Sequence, residues 1–341
     1  MITTSTAEQA PPKPRKRLPR LGWGRSIKVA VSLGLLALVF YLVDLNVLVN
    51  TLLSISPWFF LAGVALVHAD RLLMAYKWRP LLTVLGVSVP LSTLFRIYVV
   101  TPIAQLVLPS TIGMDLFRVH GLARGQHNLA PVVASIVMER LIGLFAILAL
   151  VAASFGLASY VLRDTWNYVG DMRWIVIAAA ILGLVALAAL LALLKLRRSA
   201  WAGRLAEGYV GGRLAKITSA FASYRNHPRT LVFVGIWTFI EQFFSIAITF
   251  LAVQALHVDV SWYALAIIVP IVVLAARLPI SLDGIGIQEG LYVGLFGFAG
   301  VSVAEALLIS AVVRAIILVS AMPWGVHYLF RGRGIPARAG T

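Results

Sequence analysis

The sequence contains no cysteine. That absence excludes disulfides, iron–sulfur clusters, thiolate zinc sites and a cysteine nucleophile. Charge is also scarce: Asp, Glu, Lys and Arg make up 12% of the 341 residues against 60% hydrophobic residues, with a mean hydropathy of +0.93. A soluble globule is excluded, because such a chain lacks the polar atoms to cover its own surface. His68, His120, His127, His227, His257 and His327 are scattered, with no H-E-x-x-H pair among them. A metalloprotease therefore has no support, and no metal or cofactor is expected. Acidic residues number 13 against 29 basic ones, a formal charge of +16. The basic residues sit in tails and short loops between apolar runs, where they set topology, so nucleic acid is not an expected partner.

What the chain has in abundance is apolar runs. Residues 1–25 read as a disordered basic cytoplasmic tail, with Pro11, Pro12, Pro14 and Pro19 among Lys13, Arg15, Lys16, Arg17 and Arg20. A first span over about 26–46 lacks a small-residue cleavage site after it, so it reads as uncleaved. The loop 45–56 has no Lys or Arg and should be external; a span over 57–76 returns to the cytoplasm at Lys77-Trp78-Arg79. A crossing at 91–108 would place Arg118 and Arg124 outside, against the charge rule. A re-entrant hairpin broken at Pro102 and Pro109 removes the conflict. The run 129–162 goes out and 174–194 comes back to a basic connector over about 195–230. There Trp201, Leu205, Tyr209, Leu214, Ile217 and Phe221 recur near helical spacing, the pattern of an amphipathic helix on an anionic membrane surface. The span 231–256 leads to an external turn at His257-Val258-Asp259, a second re-entrant element over 262–299, a last span over 304–325 and a cytoplasmic tail, 331–341. The predicted fold is all-α: one polytopic transmembrane domain over 26–330, with about six full spans plus two re-entrant hairpins arranged as an inverted repeat. Eight or nine simple crossings are the alternative.

The repeat is visible in the motifs. Thr101-Pro102-Ile103 and Leu108-Pro109-Ser110-Thr111-Ile112-Gly113-Met114-Asp115 precede an apolar segment carrying Ser135 and Glu139-Arg140. Pro270-Ile271 and Leu278-Pro279-Ile280-Ser281-Leu282-Asp283-Gly284-Ile285-Gly286 precede one carrying Ser310 and Arg314. Leu-Pro recurs after 170 residues (108 to 278) and the arginine after 174 (140 to 314). Broken helices at matching places in two halves point to a transporter-type site. Irregular backbone at membrane depth needs a polar cavity to satisfy it. Ser110, Thr111 and Ser281 suit helix N-caps whose free amides attract anions. Gly113, Gly284 and Gly286 allow close approach of a ligand, and a bulky residue there should block function while the fold accepts it. The charges Asp115, Glu139, Glu241, Asp283, Glu289, Arg140 and Arg314 each cost about 2.5–3.5 kcal/mol in a span and mark function or a buried pair. For Arg140 and Arg314, phosphate binding is weighed against ion pairs with Glu139, Asp115, Asp283 or Glu289. Asp70, Arg71 and Arg118 are read as structural charges that snorkel to the cytoplasmic side. Glu241 is either an interhelical hydrogen-bond partner or a proton or cation site. Trp58, Trp174, Trp262 and Trp324 read as interfacial anchors.

These runs resemble the flippase-like family named after the transmembrane region of lysylphosphatidylglycerol synthases. The likeness rests on the Leu-Pro…Gly-x-Asp-x-x-Arg run (108–118), the Ser…Glu-Arg helix (135–140), the Pro-x-Ser…Gly-x-Gly-x-x-Glu run (279–289) and Arg314, and covers about residues 25–330. It implies a bacterial cytoplasmic-membrane protein with both termini inside, which moves a phospholipid or polyprenyl-phosphate-linked headgroup between leaflets. The resemblance assigns amino-acid addition to a separate soluble domain. As the sequence ends at Thr341, a stand-alone lipid transporter without synthase activity, and so without catalytic residues, is expected. The alternatives are an intramembrane transferase acting on a lipid-linked sugar or amino acid, with the carboxylates as general bases, and a small-solute antiporter. The expected substrate site is Arg140, Arg314, Ser110, Thr111, Gly113, Asp115, Arg118, Glu139, Ser281, Asp283, Gly284, Gly286, Glu289 and Glu241. A homo-oligomer is compatible with this reading.

Overall fold

The computed structural model describes residues 55–107, 111–123, 129–161, 222–277 and 286–331. They form eight α-helices: α1 (Pro57–Val84), α2 (Leu91–Val107), α3 (Thr111–Ala123), α4 (Ala130–Val161), α5 (Pro228–Ala255), α6 (Trp262–Ala276), α7 (Ile287–Gly297) and α8 (Val303–Arg331). No strand occurs among the described residues. Segments of α1, α4, α5 and α8, each 25–28 residues long, are apolar enough to cross a membrane, so the chain is a multi-pass membrane protein. The expected spans 26–46 and 174–194, both tails, most of the connector and Trp174 lie outside the described residues, as do Ser110, Ser281, Asp283 and Gly284.

Two copies of one plan account for all eight helices. Both α1 and α5 have 28 residues and begin with proline at the first helical position, where its fixed φ is already helical and its missing N–H costs nothing. Both end in the same reverse turn. Val87 N–H donates to Leu82 and Gly86 N–H to Thr83, both at 3.0 Å; Val258 N–H donates to Val253 and His257 N–H to Gln254, both at 3.2 Å. This paired capping requires a left-handed residue just past the helix. Gly86 (φ 76°) supplies it at no steric cost, whereas His257 (φ 54°) occupies the equivalent place as a non-glycine. A helix pair then follows in each copy, α2–α3 and α6–α7, and a long helix closes it, α4 and α8.

The copies are inverted. Ser56 N–H donates to the Ala255 carbonyl (2.8 Å) at one end of the α1/α5 pair. At the other end the Tyr224 hydroxyl donates to Leu81 (2.9 Å), so the two helices lie side by side and antiparallel. Burial holds the Tyr224 phenol well above its ordinary ionisation range, leaving it a neutral donor. The first helix of each pair crosses onto the long helix of the other unit. On one side Phe95 meets Trp324 edge-on at 5.6 Å and Ile103 fills the space above Gly325. On the other, Ser154 donates to the Ala266 carbonyl (2.8 Å) and Arg277 to Gly143 (2.8 Å). One apolar core lies among α4, α5, α6, α7 and α8 and a second among α1, α2, α4 and Tyr224.

Several expectations change here. Helix α1 does not stop at Tyr76 but runs through Pro80 to Val84, placing Lys77 and Trp78 inside the protein at 2% and 0% exposure. They are tolerated there because Lys77 meets carboxylates and Trp78 Nε1 donates to Ser135 Oγ (3.0 Å). Pro102 lies within α2 without ending it, and α3 begins at Thr111. Trp58 and Trp262 are 79% and 68% exposed at one end of the molecule, as interfacial anchors would be. Trp324 is not such an anchor: its Nε1 donates to His68 (3.1 Å) across the α1/α8 contact.

Candidate functional site

A row of charges alternating in sign crosses the first unit. Glu241 on α5 pairs with Lys77 on α1, whose ammonium also lies 3.3 Å from Thr238 Oγ1 and 3.8 Å from Glu139 on α4. Glu139 pairs with Arg118 on α3 and accepts from the Tyr98 hydroxyl at 2.7 Å. Arg118 lies 3.7 Å from Asp115, and Asp115 bonds Arg140 on α4 at 2.6 Å. The Arg118 guanidinium is also 4.0 Å from the Trp78 ring centre and 4.7 Å from that of Tyr98. Arg118 is thus structural but does not snorkel; it is 6% exposed between two aromatic faces and a carboxylate. Alternation of sign is what permits burial, since each charge meets opposite neighbours in place of water.

In the second unit Arg314 on α8 bonds Glu289 on α7 at 3.0 Å and Gln288 at 3.4 Å. Asp115 to Glu289 is a shift of 174 residues, and Arg140 to Arg314 is the same shift. The inverted repeat therefore builds one carboxylate–arginine pair twice, each time between the short helix and the long helix of its unit. Arg140 and Arg314 keep 44% and 29% side-chain exposure. A second carboxylate correspondence joins Asp70 on α1, paired to Arg71 at 3.7 Å, with Glu241, 171 residues on, the same shift as between the starts of α1 and α5.

The rest of the row has no counterpart. The same shifts carry Lys77 to Ile248, Tyr98 to Val269, Arg118 to Tyr292 and Glu139 to Val313, all buried in the apolar core among α4, α5, α6, α7 and α8. Tyr292 stacks on Phe296 within α7 at 5.3 Å and both are buried in that core, so α7 adds apolar packing to its Glu289–Arg314 pair where α3 is joined to α4 by two ion pairs. The architecture accepts apolar residues at these positions, so the fold itself does not demand the charges of the first unit.

Of the expected site residues, the structure joins Asp115, Arg118, Glu139, Arg140 and Glu241 in one network and Glu289 and Arg314 in another. Thr111 and Gly113 fall in the first turn of α3. Gly286 is the N-cap of α7 with φ 84°, and its N–H donates to Glu289 at 2.6 Å. That angle makes glycine a backbone requirement there, so the expectation that the fold accepts a bulky residue at Gly286 is corrected. Lys77 and Arg277 were missed. Arg277 follows α6 and donates to Gly143 (2.8 Å) and Gln242 Oε1 (3.0 Å), bridging the two units. Among the described residues no group of three His, Cys, Asp or Glu side chains could hold a metal ion.

The family model described as the lysylphosphatidylglycerol synthase TM region matches residues 25–325. No curated protein and no solved structure matches the chain.

Proposed function

We propose, for a chain that belongs to the family of lysylphosphatidylglycerol synthase transmembrane regions, that it moves a phosphate-bearing lipid or polyprenyl-phosphate-linked headgroup between membrane leaflets. The observation that carries this reading is the duplicated pair, Asp115–Arg140 and Glu289–Arg314, one in each half of an inverted repeat. An arginine fork matches a phosphate bidentately, and the adjacent carboxylate holds the fork in place until an anion competes for it. Two copies of opposite orientation suit a substrate met first from one side and then from the other. A transferase is less well supported, because Asp115, Glu139, Glu241 and Glu289 are each engaged by a cation and none is free to act as a base. The proposal includes a bacterial cytoplasmic membrane, cytoplasmic termini and basic segments that rest on anionic lipid; a homo-oligomer is compatible with it.

Reconstitution tests the reading. Proteoliposomes carrying a fluorescent phosphatidylglycerol should lose the protected inner-leaflet signal to an impermeant quencher only when the protein is present. Arg140→Gln and Arg314→Gln should each abolish that loss while inserting normally. Undiminished translocation in both variants would remove the basis of the proposal.

A further inference from the structure

We propose that Arg277 is a phosphate-binding residue, acting with Arg140 at the junction of the two units on the phosphodiester of a lipid headgroup or on free phosphate; this rests on the translocation reading above. The other basic side chains of the charged networks, Arg71, Lys77, Arg118, Arg140 and Arg314, each lie within ion-pair distance of a carboxylate. Arg277 has no such partner among the described residues. Its two hydrogen bonds go to neutral oxygens, the Gly143 carbonyl and Gln242 Oε1. Neutral acceptors orient a guanidinium without cancelling its charge, and they leave three of its five N–H groups for another acceptor.

Placement adds to the argument. The side chain keeps an exposed surface although it is tied to α4 and α5. Gly143 lies three residues after Arg140, on the same face of α4. Arg277, held at Gly143, is within electrostatic range of Arg140. Two guanidinium groups brought this near repel, and the carboxylates in range of them are shared, Asp115 between Arg140 and Arg118 and Glu241 between Arg277 and Lys77, so an added anion would be favoured. Each unit thus supplies one cation, and an anion bound to both would tie the units together.

Calorimetric titration of the full-length protein in neutral detergent tests this, with dihexanoyl-phosphatidylglycerol and inorganic phosphate as separate probes. Wild type should bind the diester. Arg277→Gln should weaken binding by about tenfold or more, the loss of at least one charge-assisted hydrogen bond, with unchanged gel-filtration behaviour. Arg229→Gln, an exposed arginine at the start of α5, is the control and should bind as wild type does. Parallel loss of inorganic phosphate binding would identify phosphate itself as the ligand, whereas binding of the diester alone would identify the headgroup. If Arg277→Gln does not accumulate, Arg277→Lys is read in its place and should also bind more weakly, because it lacks the fork. Wild-type affinity in whichever variant is read overturns the role of Arg277 and leaves the translocation reading standing. Wild type that binds neither probe overturns both.

Discussion

Lys77→Met is the most informative single perturbation of the charged row. Lys77 is 2% exposed and is the cation paired with Glu241, with Glu139 a further 3.8 Å neighbour. Its removal leaves a buried carboxylate facing an apolar chain, an arrangement that costs about 3–5 kcal/mol. The folded-to-unfolded ratio should then fall by roughly two to three and a half powers of ten. Pairing the change with Glu241→Leu should recover most of the loss. The second unit already carries the buried Ile248 at the position related to Lys77, and apolar replacement of a whole buried pair is often neutral. Unfolding by sodium dodecyl sulfate in mixed micelles, followed by tryptophan fluorescence, measures both variants. The double variant should be well folded yet defective in lipid translocation. A single-variant cost below about 1 kcal/mol, or a double variant as unstable as the sum of its parts, would refute the view that the row is a buried network which the fold itself does not demand.

Other outcomes follow from local geometry. Gly325→Ala should destabilise by about 1–3 kcal/mol through overpacking, because a Cβ there would run into the Ile103 side chain; Ile103→Ala in the same protein should relieve it, as thermal stability in detergent would show. Gly286→Ala should cost roughly 1–2 kcal/mol for placing an L-residue at positive φ, whereas His257→Gly, at φ 54°, should stabilise by up to about 1 kcal/mol on the same account. Tyr168→Cys should react with an impermeant thiol reagent in intact cells, since the chain has no other cysteine; reaction only after the membrane is opened would reverse the proposed orientation.

Hydropathy made α4, α5 and α8 legible within a few residues, because membrane length and apolar composition dictate them together. The two short helix pairs and their repetition were also legible, since Leu-Pro and the nearby glycines recur in register in the sequence. The partners were not. Lys77 stands next to Trp78 and Arg79, a composition that also marks a cytoplasmic boundary, and only its contact with Glu241, 164 residues away, shows it to be interior. Arg277 caps the end of α6 and has no charged neighbour in sequence, so nothing local sets it apart. The correspondence of Asp115 with Glu289 was present in the numbering, yet it carries meaning only once each is seen to bond its own arginine. Pairing is a property of packing, and periodicity does not encode it.

The different fastening of α3 and α7 bears on how the two halves respond to wetting. Ion pairs at 4 Å weaken from about 4 kcal/mol at an effective dielectric of 20 to about 1 kcal/mol in bulk water. Apolar side chains such as Tyr292 and Phe296, packed in one core with Leu308 and Val312 of α8, hold together because water is present, not in spite of it. Filling the interior with water should therefore loosen α3 on α4, joined by two ion pairs, more than α7 on α8, which adds core packing to a single pair. The hydration state of the cavity then selects which half yields, with no change in any residue. Amide hydrogen exchange would register this as faster exchange in α3 than in α7 when salt is raised, and equal acceleration of both helices would contradict it.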